Sequence, residues 1–483
     1  MKRAALFAAL LALAACQGRS DVGPVVVSAI GGAPALADPS QGSLDTPSRL
    51  MLDATAQGLV RFDAAGQIEP GIAERWIVID NGMSYIFRLR DAEWSDGRPV
   101  GAAEVVAILR RQIADRSRNP LLPFLSAIDE IVEMTPQVIE VRLKRPRPDL
   151  LKLFAQPELA LFRARPPGGS GPFRVTETYR DGAMLRPAFD PSRSPDDVAA
   201  EPGPERDVRL IGERAARAIA RFVARDSDLV TGGTFADWPL LAAVDIAPAN
   251  QKVDPAAGLF GLAFVNRTGF LADSANRVAV ARSVDRQAIV AAFAPWWNAT
   301  TQLLPDRLDS AAPPAIAAWI APASPDETPA AELVRAWRAA HEGPLVLRIS
   351  LPQGPGATIL YGVVAAGLGR IGITAERVAI DADADLRLID EVAPYDSARW
   401  YLATACRPCG DAAQAAIEAA RDAPTLELRA ARMADADAAL AADVAYIPIA
   451  RPMRWSLVAL RLGQWQGNSR AWHPLNHLRN DTR

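Results

Sequence analysis

Residues 57–106, QGLVRFDAAGQIEPGIAERWIVIDNGMSYIFRLRDAEWSDGRPVGAAEVV, leave this chain few ways to fold. Leu59, Val60 and Phe62 make a short apolar strand, and Asp63-Ala64-Ala65-Gly66 has the acceptor-first, glycine-last order of a β-turn. Pro70-Gly71 interrupts the chain, and residues 72–76 are read as about one helical turn. Trp76 and Val78, then Tyr85, Phe87 and Leu89, alternate with other residues on either side of Asn81-Gly82, the strongest short-range signal for a β-hairpin. Trp94-Ser95-Asp96-Gly97 supplies another turn, and a helix follows from near Pro99, with Val105, Ile108, Leu109, Gln112 and Ile113 along one face.

The ordered set Gly58, Leu59, Arg61, Asp63, Gly66, Ile68, Pro70, Ala73, Trp76, then Trp94, Asp96, Gly97, Pro99, Ala103 and Val105, resembles the signature of the family 5 solute-binding proteins of bacterial ABC importers. Oligopeptide, dipeptide and nickel receptors belong to that group. Glu104 stands where the family has aspartate, and Gly101 where it has a helix-capping Thr or Ser. A second anchor lies about 180 residues on: RVAVARSVDRQAIV, residues 277–290, is similar to the family's "VRQAL-x-x-AIDRxxIV". Two ordered motifs so far apart imply a whole architecture. The resemblance implies an α/β fold of the periplasmic-binding-protein type II class, with two lobes of mixed sheets joined by two crossing strands, and a small N-terminal subdomain. Residues 25–48, 165–262 and 450–483 would form the first lobe, 49–164 the subdomain and 263–449 the second lobe. Residues 259–266 would carry the first crossing at about their position, and 443–450, DVAYIPIA, the second.

Residues 128–134 and 138–143 are alternating strands joined at Thr135-Pro136, and Gly168-Gly169-Ser170-Gly171-Pro172-Phe173 is similar to the family's "GTGPY" return to the main lobe. This serine is no hydrolase elbow, because Pro172 occupies the place of the last glycine. Residues 187–204 read as a surface loop. Thr231-Gly232-Gly233-Thr234 lacks a P-loop lysine and reads as a strand-to-helix turn. Helices are expected over 274–283 and 285–293, with Asp285 as N-cap, and over 358–368 and 426–442.

The site follows from the resemblance. In peptide receptors of the family an aspartate after a cleft-facing strand holds the ligand's ammonium; Asp390 is the match, with Glu391 and Asp396 as alternatives. Arg387-Leu388 stands where the family has "GW", a departure that bears on peptide specificity. Trp400, Gln57, Asn266 and Trp296 complete the candidate ligand-binding set, Trp296 being as well suited to core packing. Cys406 and Cys409 form a candidate local disulfide; a redox site would need a thioredoxin-like context, and two cysteines are too few for structural zinc. His473 and His477 are spaced i, i+4, but Pro474 between them argues against a helical metal site. No cofactor, metal or catalytic residue is expected.

Met1-Lys2-Arg3 followed by about a dozen apolar residues suits a secretory signal peptide, residues 1–15, too short for the roughly 20 residues of a bilayer span. Leu13-Ala14-Ala15-Cys16 is similar to a bacterial lipobox, which makes Cys16 the lipid-attachment residue and 16–24 a tether. The expectation is a periplasmic, membrane-anchored monomer, with a small-molecule or peptide ligand, an ABC permease and its ATPase as partners. A net charge of −3 without Lys/Arg blocks excludes nucleic acid as a partner.

Overall fold

The computed structural model describes residues 23–188, 203–306 and 308–479. The expected signal peptide, Cys16 and most of the 187–204 loop lie outside the described residues.

Six short parallel and antiparallel pairings build the first lobe around Val25–Ile30, an apolar strand buried on both faces. Its seven-stranded sheet runs in the order 173–178, 182–187, 208–213, 25–30, 229–234, 454–458, 251–253. The helix Thr46–Thr55 lies against this sheet and so belongs to the first lobe, although the sequence reading placed residues from 49 onward in the subdomain. Its start is fixed by Asp45, whose carboxylate accepts from Ser48 N, with Pro47 in the first turn.

The subdomain sheet has the order 73–79, 84–89, 138–143, 128–135, all antiparallel. The hairpin at Asn81-Gly82 forms as expected, with positive φ at Asp80, Asn81 and Gly82. The helical turn expected at 72–76 does not form. Ala73–Ile79 is a strand, because five residues gain little as a helix, whereas Ile77-Val78-Ile79 is β-branched and finds a ready partner in Ser84–Leu89. Helix Ala102–Ile113 covers the sheet with Val105, Ile108 and Leu109.

The second lobe has a five-stranded sheet in the order 374–378, 346–350, 386–392, 258–264, 446–450. The chain passes between the lobes twice. Strand Gln251–Val253 belongs to the first sheet and Gly258–Phe264 to the second; Tyr446–Ala450 belongs to the second and Arg454–Val458 to the first. The crossings are therefore residues 254–257 and 451–453. The first lies earlier than the 262/263 boundary expected from sequence, since the whole of Gly258–Phe264 pairs with Leu386–Val392. The Thr231-Gly232-Gly233-Thr234 run is also strand rather than turn, with a bulge between Val230 and Gly233. Gly233 is needed there: a Cβ would lie 2.2 Å from the ring of Trp455.

Among the described residues three apolar clusters form, and the two large ones each draw on both lobes. One joins Val27 and Leu229 to Leu259, Ile389, Tyr395 and Trp400; the other joins Val230 and Trp455 to Phe260, Leu262 and Ile349. The lobes are thus packed shut. Among the described residues no helix is long and apolar enough to cross a membrane.

Candidate functional site between the lobes

Strand Leu386–Val392 decides which candidates face the other lobe. It runs antiparallel to Gly258–Phe264, with Val392 opposite Gly258 and Leu386 opposite Phe264. Gly258 directly follows the first crossing, so the far end of Leu386–Val392, and the loop after it, meet the first lobe. The start of the strand points away.

At that meeting edge Asp390, Glu391 and Asp396 are all already held. Arg454, the first residue of the strand after the second crossing, donates from Nη1 to Asp390 Oδ1 at 2.7 Å and from Nη2 to the Asp390 carbonyl at 2.9 Å. Both side chains are largely buried, 14% exposed for Asp390 and 16% for Arg454. Burial raises the Asp390 pKa, and the Arg454 charge and hydrogen bond pull it back. Asp396 is clasped by Lys152 from the subdomain and Arg470 from the C-terminal segment. Glu391 takes Arg407 Nη2 at 3.1 Å near the surface.

The loop after the strand continues the contact. Gln156 donates to Pro394 O at 2.6 Å, and Arg470 Nη1 to Ala393 O at 2.6 Å. Tyr395 meets Phe124 edge-to-face at 5.8 Å, with the Arg147 guanidinium over its other side. Arg399 crosses back, donating to Pro123 O at 2.9 Å with its guanidinium over the Phe124 ring. Burial depresses the Arg399 and Arg470 pKa values to about 10, leaving both charged at neutral pH. Burial, helped by Asp309, raises Asp149 beside this seam to about 6. These are binding and clamping chemistries.

Comparison with known proteins agrees with this architecture. The profile of the bacterial extracellular solute-binding proteins, family 5 (middle) matches residues 67–388. This chain belongs to that family.

Among solved structures, the family-5 chain overlays the murein tripeptide binding protein MppA of Escherichia coli with a TM-score of 0.77, at 19% identity, over 94% of this chain and 98% of that one. The unliganded open form of MppA gives 0.65 at 18% identity, covering 94% and 97%. In sequence, 94 residues are 36% identical to the probable deoxycholate-binding periplasmic protein YgiS of E. coli K12; that match covers 19% of this chain and 17% of YgiS. The chain's matches to its first curated relatives span about a fifth of their length.

The remaining candidates of this family-5 chain lie elsewhere. Asn266 sits past the distal end of its strand, where Nδ2 donates to Asp385 Oδ1 at 2.8 Å and Oδ1 accepts from Thr268 N at 3.0 Å; it shapes a turn far from the crossings. Gln57 is buried and donates to Ser170 O at 2.7 Å, tying the glycine-rich return segment to the subdomain. Trp400 is buried in helix Ala398–Ala405, edge-on to Tyr401, and serves the core. Trp296 is 43% exposed against Trp238, whereas its neighbour Trp297 is buried and donates to Arg451 O at 2.9 Å, bracing the second crossing. Cys406 and Cys409 are disulfide-bonded, between the end of helix Ala398–Ala405 and the start of Asp411–Asp422. His473 pairs with Asp254 and His477 with Glu69, so the two histidines serve different neighbours. Among the described residues no three His, Cys, Asp or Glu side chains are grouped to hold a metal ion.

Sequence reasoning missed Arg454, Arg470, Lys152, Phe124 and Gln156, which come from stretches remote from residues 390–399. Only Tyr395 and Arg399 carried a signal, as the large and basic residues flanking the flagged Asp396.

Proposed function

We propose that this chain is the receptor of an ABC importer, capturing a small polar solute or short peptide between its lobes and delivering it to a membrane permease. The observation that carries this reading is the double crossing: two lobes strung at 254–257 and 451–453 with a polar seam beside the crossings. Such a joint permits hinge closure by a few residues, and a solute shifts the balance only by as much as it prefers the closed form. In this reading Cys16 is lipidated after export, and the protein works in the periplasm as a tethered monomer. MppA is a murein tripeptide binding protein and YgiS a probable deoxycholate-binding one, so relatives of this fold take different solutes.

A second reading, a binding or sensing module that kept the fold without transport, is favoured by the seam's own cations occupying Asp390 and Asp396. Native mass spectrometry of the purified protein separates the cases in stages. The importer reading expects a small molecule to travel with the protein and its uptake to fall when the chain is deleted. Uptake unchanged on deletion sinks the importer reading and leaves the sensor.

A further inference from the structure

Resting on the reading that a solute enters between the lobes, we infer that Arg454 is a specificity-determining residue: it fills the buried acidic position from within, so the protein refuses solutes that would place a free ammonium there. Three observations converge. First, one guanidinium takes both a carboxylate oxygen and the main-chain carbonyl of Asp390, at 2.7 and 2.9 Å, so the charge a solute ammonium would need is already neutralised. Second, this residue lies where the strand is open to an incoming chain. Strand Val346–Ser350 pairs with it only at Leu386 and Arg387, so one edge of residues 388–392 has no sheet neighbour among the described residues.

Third, the seam is short of acceptors rather than donors. Asp396 is also held internally, by Lys152 and Arg470. By contrast Arg470 Nε, on a side chain more than nine-tenths buried, has no hydrogen-bond partner among the described residues, and Arg399, beyond its bond to Pro123 O, turns to the Tyr395 hydroxyl, itself a donor. Buried donors without acceptors are costly. A solute offering carboxylate or carbonyl oxygens would satisfy them, whereas an ammonium adds another donor and another positive charge. The solute class is therefore acceptor-bearing, without an ammonium at Asp390.

The test uses trialanine amide, which carries an ammonium and no carboxylate, titrated calorimetrically into wild type, Arg454→Met and Asp390→Asn/Arg454→Met. Wild type is expected to show no binding at millimolar probe. Arg454→Met should bind at least tenfold more tightly than wild type, and the double variant should lose that gain. If Arg454→Met does not unfold cooperatively, Arg454→Gln replaces it. The inference is overturned if wild type binds the amide at millimolar probe, if the folded single variant gains nothing, or if the double variant keeps the gain. Failure of the importer reading shows elsewhere, in uptake on deletion of the chain, so the two outcomes are told apart.

Discussion

Two acidic residues six positions apart tie the second lobe to the first, and their surroundings differ sharply. Asp390 is enclosed with Arg454 beside the crossings, whereas Asp396 is 42% exposed and shares Lys152 and Arg470. A charge pair withdrawn from water gives little net stability while intact but is expensive to break from one side. A pair that stays wet is worth little either way and is screened by salt. The same sequence motif thus holds one contact that fixes the joint and one that only biases closure.

The sharpest way to break this comparison is Asp390→Ala. It leaves Arg454 with main-chain acceptors at Asp390 and Met453 but no counter-charge. Urea unfolding should show a loss of about 3 kcal/mol. A loss under about 1 kcal/mol would mean that the Asp390 site is wetter than its burial implies.

Next in size is a pH effect at the seam. Burial, with Asp309 nearby, raises Asp149 from 3.8 to about 6. The folded protein then holds a proton between about pH 4 and 6 that the unfolded chain has released. Stability from this group is fullest below about pH 4, falls as pH rises through that window, and stays reduced above about pH 6. Asp149→Asn should remove on the order of 2 kcal/mol of that pH dependence, read as the difference between urea midpoints at pH 4.5 and 7. An unaltered profile would show that Asp149 is not desolvated in the folded protein.

Local chemistry explains how much of this could be read in the sequence. The Asn81-Gly82 hairpin, the Asp63 turn and the Asp285 cap depend on neighbours a few residues away, and all form. The two-lobed fold was legible through long-range motif order. The start of the strand Ala73–Ile79 was not, because its partner outweighs a local helical preference. The seam was least legible: Arg454 is 64 residues from Asp390, Lys152 is 244 from Asp396, and no spacing rule links them. The placement of Asn266 and Trp400 was out of reach for the same reason, since which end of a strand faces the crossing, or which face of a helix is buried, is decided by the sheet order.

The smallest effect belongs to Asp396→Asn, and it tests whether exposure ranks the two contacts. The Asn amide oxygen can still accept from Arg470, which also keeps the Ala393 carbonyl, and Lys152 can turn to water, so the buried guanidinium loses a counter-charge but not its hydrogen bonds. The expected loss is about 0.5–1 kcal/mol at low ionic strength, shrinking further in 0.5 M salt because exposed charges are screened over a few ångströms there. Asp390→Ala, enclosed from solvent, should keep its larger loss across the same salt range. If both variants lose the same stability with the same salt response, burial does not distinguish the two ties, and the joint is held by the aromatic contact of Phe124 with Tyr395 instead.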